Sequence, residues 1–109
     1  MSLRIYPVAL QLVRTVSPYL RVLQARSRSL GDQLERALTS VTLNLAEGGY
    51  SRGRNRFARY QSACASAREA LACLETAEAL GWIEPIAPEL SALFNQVIGT
   101  LVRLVEPRR

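Results

Sequence analysis

Apolar residues recur along this chain at intervals of three and four, in four separate runs, and that spacing restricts most of the backbone to helix. Ile5, Val8, Ala9, Leu12, Val13 and Val16 form the first run, with Arg4, Gln11 and Arg14 off the stripe. Leu30, Leu34, Ala37, Leu38, Val41 and Leu45 form the second, and Phe57, Tyr60, Cys64, Ala67, Leu71 and Leu74 the third. The fourth is Leu90, Leu93, Phe94, Val97, Ile98, Leu101, Leu104 and Val105. Each run is one face of a helix. No segment alternates apolar and polar residues long enough to make a strand. Helices of about 20 residues joined by short loops pack antiparallel to their neighbours, which predicts an all-α, up-down-up-down four-helix bundle.

Helix one begins near Arg4, and because Leu20 and Leu23 continue its stripe beyond Pro18, it reads as a kinked helix reaching about Arg26. Ser29, three residues before Asp32, resembles a loose capping arrangement for helix two. Gly48 and Gly49 mark its end, since glycine takes the left-handed backbone that closes helices. Tyr50 to Asn55 reads as a loop with Asn55 as the cap of helix three, and Gly81 closes that helix near Leu80. Pro85 and Pro88 keep the next connection extended.

With 109 residues, 49% of them apolar, the chain can fill one core, so residues 1–109 are expected to form a single domain. Cys64 and Cys73, nine apart in one helix, are separated by roughly 13.5 Å along its axis and cannot bridge each other. Free thiols with no histidine anywhere suggest a reducing compartment, the cytoplasm, and exclude the common zinc sites. Arg14 and Arg21 interrupt the N-terminal apolar stretch, which is therefore neither a signal peptide nor a membrane span.

All 14 basic residues are arginine, a usage that a G- and C-rich genome also produces, so their positions say more than their number. Residues 1–68 hold eleven arginines against Asp32, Glu35 and Glu47, a net of +8. Residues 69–109 hold Arg103, Arg108 and Arg109 against Glu69, Glu75, Glu78, Glu84, Glu89 and Glu106, a net of −3. An up-down bundle brings the start of helix one, the loop between helices two and three, and the end of helix four together. That end then collects Arg4, Arg52, Arg54, Arg56, Arg59, Arg103, Arg108 and Arg109. Asp32, Glu78, Glu84 and Glu89 gather at the other, beside Arg26 and Arg28.

The segment from Gln33 to Tyr60 is the most informative. It contains Ser40, then Asn44-Leu-Ala-Glu-Gly48 at a helix end, then the basic loop Arg52 to Arg59, then the small-residue stretch Ser62 to Ala67, and Glu69. Over roughly residues 9–105 this order resembles a family of small bacterial four-helix bundles. The family comprises the intervening-sequence proteins of large-subunit ribosomal RNA genes and the accessory variability determinants of diversity-generating retroelements. The resemblance implies a four-helix protomer, commonly assembled as a cyclic pentamer. In the retroelement members it implies a basic surface that engages nucleic acid and a reverse transcriptase. The absence of lysine and the proline in helix one depart from the pattern.

Read physically, Asn44 and Glu47 share one face of the last turns of helix two. A carboxylate there opposes the negative end of the helix dipole and needs an arginine partner from the following loop or helix. Ser40, Asn44, Glu47 and Gly48 therefore read as the structural corner of a helix-loop-helix. Glu47 has no second titrating group that would make it a catalytic base. No nucleophile–base pair, phosphate loop or metal-ligand set occurs, so no enzymatic activity, metal or cofactor is expected.

A strongly basic end suits phosphate binding, because each neutralised phosphate releases condensed counterions. The expected contacts are Arg52, Arg54, Arg56, Arg59, Arg4 and Arg103, with Tyr50 and Tyr60 stacking on unpaired bases. The bland reading of the same loop is a solvated charge run, or one paired with acids such as Glu47. The function expected is a basic, oligomeric scaffold that binds RNA or DNA. The rival is a protein-interaction scaffold docking an acidic partner. Helix three contributes to either through Ala63, Ala65, Ala67, Ala70 and Ala72, small residues that can line the core or seat a second protomer in a homo-oligomer.

Overall fold

The structure is a computed structural model and describes residues 3–106. Four helices follow one another: α1 (Ile5–Arg26), α2 (Arg28–Gly49), α3 (Gly53–Ala79) and α4 (Pro88–Val105). Each packs on its neighbour in the chain, and α1 closes the square against α4. With connections this short, the arrangement is the antiparallel up-down-up-down bundle. Among the described residues there is no strand.

The core is the set of residues that the three-four spacing selects. Leu12, Val16 and Leu23 of α1 meet Leu34, Val41 and Leu45 of α2, Leu74 of α3, and Leu90, Phe94, Val97 and Leu101 of α4, all of them fully buried or nearly so. Pro18 does not interrupt α1. It lies on the exposed side, where water can serve the carbonyl that its ring leaves without a donor. The α2–α3 interface is the most extensive in the bundle. Ala63, Ala67, Ala70 and Ala77 are buried there and in the core, and their small side chains permit close helix approach. Ala65 and Ala72 stay on the surface.

Three helix ends differ from the sequence reading. The cap of α2 is Ser27, whose Oγ accepts from the Leu30 amide at 3.2 Å, and not Ser29. Ser27 is also the whole connection to α1, its own amide donating to the Leu23 carbonyl at 2.8 Å. Gly31 therefore lies inside α2, where the two helices nearly touch. A Cβ on Gly31 would sit 2.7 Å from the Gln24 Cα, so only glycine fits.

At the other end, α2 stops at Gly49, as the glycine pair predicts, but Gly48 and Gly49 are helical, not left-handed. The last carbonyls are served by the following backbone amides, Tyr50 to Glu47 at 3.1 Å and Ser51 to Gly48 at 3.2 Å, and by side chains as well. The Ser51 hydroxyl donates to the Glu47 carbonyl at 2.8 Å and the Arg56 Nε to the Gly48 carbonyl at 3.2 Å. Finally, α3 begins at Gly53, so Asn55 is in its first turn and is not the cap. Gly53 has a φ of +57°, and that left-handed residue turns the chain into the helix three positions early. Gly81, with φ +75°, closes α3 as its position suggests. The Trp82 amide donates to the Ala77 carbonyl at 2.9 Å and the Gly81 amide to that of Glu78 at 3.0 Å, the paired bonds of a Schellman end.

Candidate nucleic-acid interface

The connection between α2 and α3 is only three residues long, so the loop has little freedom in where it carries its charges. Leu3, Gly53, Arg56, Phe57, Tyr60 and Leu104 line one open hollow, which brings the start of α1, the α2–α3 loop and the end of α4 to the same end of the bundle. Arg4, Arg52, Arg54, Arg59 and Arg103 are exposed around that end. Arg108 and Arg109 lie outside the described residues. At the opposite end, Pro18, Tyr19 and Val22 of α1 meet Trp82, Ile83 and Glu84 of the α3–α4 connection.

The arginines of the loop are not equivalent. The side chains of Arg52 and Arg54 have no hydrogen-bond or ion-pair partner among the described residues. Arg56 is half-buried and its Nε donates to two carbonyls, Gly48 at 3.2 Å and Ser51 at 2.9 Å. It thus serves as a side-chain cap of α2. Its Nη groups make no hydrogen bond among the described residues and face the basic end held by a fixed stem. Arg59 reaches back to α2, with Nη2 at 3.4 Å from Glu47 Oε2 and Nη1 donating to Asn44 Oδ1 at 3.4 Å. Arg103 donates to the Thr100 hydroxyl at 3.2 Å within its own helix.

Arg59 is one end of a polar seam that runs between α2 and α3. Asn44 Nδ2 donates to both the carbonyl and the Oγ of Ser40, each at 2.9 Å. The Ser66 hydroxyl of α3 donates to that same Ser40 Oγ at 2.7 Å. Ser40, Asn44, Glu47 and Arg59, with Thr39 and the exposed Leu43, line a shallow hollow of about 390 Å³ on the outside of the bundle. Gly48 completes the corner by steric means, because a Cβ there would lie 2.4 Å from the Tyr60 ring.

Contact with that corner changes the role of Tyr60. It is only 4% exposed and packs in the core, so its ring is not available to stack on a base. Tyr50 is 85% exposed and remains available. Phe57, placed on the core stripe by periodicity, is 40% exposed and opens onto the basic end. The periodic stripe holds both aromatics, and it is right for Tyr60 and wrong for Phe57, while the stacking role expected of Tyr60 is excluded by its burial. Sequence reading also missed the cap formed by Arg56, and it took Ser66 only as part of a small-residue stretch. Only the position of α3 relative to α2 separates Ser66 from the exposed Ser62.

Cys64 and Cys73 are both buried and free. Burial pushes the Cys73 thiol above its ordinary range, and the nearby Glu69 carboxylate adds to the effect. A protonated, enclosed thiol is a poor nucleophile.

A protein-family model described as 23S rRNA-intervening sequence protein matches residues 1–103. The chain belongs to this family. Searches among curated proteins and among solved structures returned no match. As a 23S rRNA-intervening sequence protein, the chain has a family description compatible with association with RNA. No helix of the described residues is long and apolar enough to cross a membrane.

Proposed function

We propose that this 23S rRNA-intervening sequence protein is a non-enzymatic, basic scaffold that binds RNA or DNA through its arginine-rich end and works as a homo-oligomer. The observation that carries the reading is the pair Arg52 and Arg54. Both are exposed and without an acidic partner among the described residues, and they precede the fixed Arg56 on the same end as Arg4 and Arg103. Guanidinium groups fork onto phosphate oxygens, and contacts of this kind position a backbone without reading its sequence. The pentamer that the family resemblance implies has a mass of five times 12.1 kDa, roughly 60 kDa, and light scattering measures it. A reverse transcriptase is the protein partner of this reading, and the two free thiols suit a cytoplasmic setting.

The experiment is a salt titration of binding to unrelated RNA and DNA sequences by the wild type and by the variant Arg52→Gln/Arg54→Gln. Each lost phosphate contact lowers the slope of log affinity against log salt by about 0.7 to 0.9, so the double variant flattens it by roughly 1.5 per engaged protomer. The loss should be similar across sequences. Helical content should not change, because neither side chain holds the fold together. An unaltered affinity and slope transfers the loop to the docking of an acidic protein partner or to a merely solvated surface.

A further inference from the structure

Phosphate contacts leave one feature of the basic end without a use. The hollow lined by Leu3, Gly53, Arg56, Phe57, Tyr60 and Leu104 has a volume of about 420 Å³, within the range of about 300 to 1,000 Å³ that holds small ligands. Its lining is mainly apolar, although it lies within the most basic part of the molecule. Phe57 and Leu104, 40% and 39% exposed, are large apolar side chains left uncovered at its mouth. Gly53 lies in open space at that mouth, since an added Cβ there would meet nothing within 4 Å.

An occupant has to satisfy an apolar aromatic wall and a rim of cations together. Arg56 forms part of the wall, with its Nε spent on the Gly48 and Ser51 carbonyls, so its planar guanidinium is fixed and needs no ordering when a ligand arrives. Arg52 and Arg54 precede it in the chain by four and two residues. A nucleotide matches this arrangement, because its base has an apolar π-face and its flanking phosphates are anionic. A base within a duplex is stacked on both sides and cannot enter.

We infer that this hollow takes one unstacked nucleobase of a single-stranded nucleic acid, with Phe57 as the stacking surface and Arg52, Arg54 and Arg56 on the flanking phosphates. The inference rests on the nucleic-acid reading above and adds to it a preference for single strands. It also assigns to Phe57 the stacking role that proximity to the arginine cluster had suggested for Tyr60.

The test uses the full chain, a short single-stranded RNA without self-complementarity, and the same strand annealed to its complement. A base–aromatic contact removed by alanine substitution costs about 1 to 3 kcal/mol, so Phe57→Ala should weaken single-strand binding by about 5- to 150-fold. Duplex affinity and both salt slopes should stay at their wild-type values. Arg52→Gln/Arg54→Gln should instead weaken both substrates and flatten both slopes. Phe57→Leu guards against a folding artefact by keeping an apolar cover while removing the ring, and it should lose single-strand affinity as Phe57→Ala does. Phe57→Trp should retain it, and its new indole emission should be quenched by the single strand but not by the duplex, with Trp82 at the far end as a constant background.

Full single-strand affinity in Phe57→Leu, or equal losses on both substrates in Phe57→Ala, would overturn the assignment while leaving phosphate binding intact. Binding of Phe57-dependent acidic peptide in place of RNA would overturn it in favour of a protein partner. Absence of salt-dependent binding of either RNA by the wild type would overturn both this inference and the reading beneath it.

Discussion

Gly48→Ala should destabilise the fold even though it replaces glycine in a helix. Gly48 is the next-to-last residue of α2, and its missing Cβ makes room for Tyr60 of α3. An added Cβ would lie 2.4 Å from Cε1, 2.8 Å from Cδ1 and 3.2 Å from Cζ of that ring. Tyr60 is 4% exposed, so the ring has no solvent side to swing into, and the α2 and α3 backbones must separate. Overpacking of this kind costs about 1 to 3 kcal/mol, against a helix-propensity gain of about 1 kcal/mol for alanine over glycine. The net loss is about 0 to 2 kcal/mol. Gly99→Ala in α4 provides the control, because the nearest atom to its added Cβ is the Arg103 Nη1 at an ordinary 3.6 Å. There the propensity gain stands alone, about 0.4 to 1 kcal/mol. One kcal/mol moves the midpoint of a domain this size by about 4 to 8 °C, so thermal melts at one fixed protein concentration should shift in opposite directions for the two variants. Adding Tyr60→Leu to Gly48→Ala should recover part of the loss, a coupling that a double-mutant cycle reads directly. A Gly48→Ala protein as stable as Gly99→Ala would refute the steric account of this corner.

Four further outcomes follow from the seam and the core. Asn44→Ala should cost about 1 to 2 kcal/mol in urea unfolding, because it removes two half-buried hydrogen bonds and leaves Ser40 with fewer partners. Glu47→Ala should cost less, at most about 1 kcal/mol, since Arg59 and Glu47 are 48% and 59% exposed and solvent screens the pair. Glu47→Gln should raise RNA affinity and steepen its salt slope by about 0.7 to 0.9 if the Arg59 it releases reaches a phosphate, and an unchanged slope counts against that contact. Cys73 should react slowly with a thiol reagent in the native protein and rapidly once unfolded. Because its folded pKa is raised, its contribution to stability is fully present below the ordinary thiol value of 9.0 and is lost as pH rises from there through the folded value, which alkaline denaturation would record.

Helix interiors were legible because period 3.6 selects a face whatever lies opposite, and Leu12, Leu34, Leu74 and Leu101 are buried as that spacing requires. Glycine was the least legible residue. Gly48 read only as a helix stop and Gly31 carried no signal, yet each marks a place where a second helix comes too close for a Cβ. That reason lies in Gln24 and Tyr60 and cannot be read from local sequence. The aromatics show a related difficulty, since Tyr60 and Phe57 are both next to arginines and both on the stripe. Which one is buried depends on how α3 packs against the other helices, which local sequence does not carry. The need of Glu47 for an arginine partner was legible and Arg59 meets it, but the role of Arg56 was not, because its partner is the Gly48 carbonyl at the end of the preceding helix.

The corner and the basic end are mechanically one unit. Asn44, Ser40 and Ser66 tie the outer edge of α2 to α3, Arg56 and Ser51 close the last turn of α2, and the three residues between the helices carry Arg52 as the first residue of the cationic run. A loop bound on both sides spends little conformational entropy when it meets a ligand, so its cations are worth more to binding than the same cations on a long, free tail. Stability at the corner and affinity at the end are therefore coupled through geometry. A seam variant such as Asn44→Ala should weaken RNA binding while keeping the wild-type salt slope, because the number of phosphates contacted does not change. Removal of Arg52 or Arg54 changes the slope itself. The slope, and not the affinity alone, thus separates the residues that touch nucleic acid from those that hold them in place.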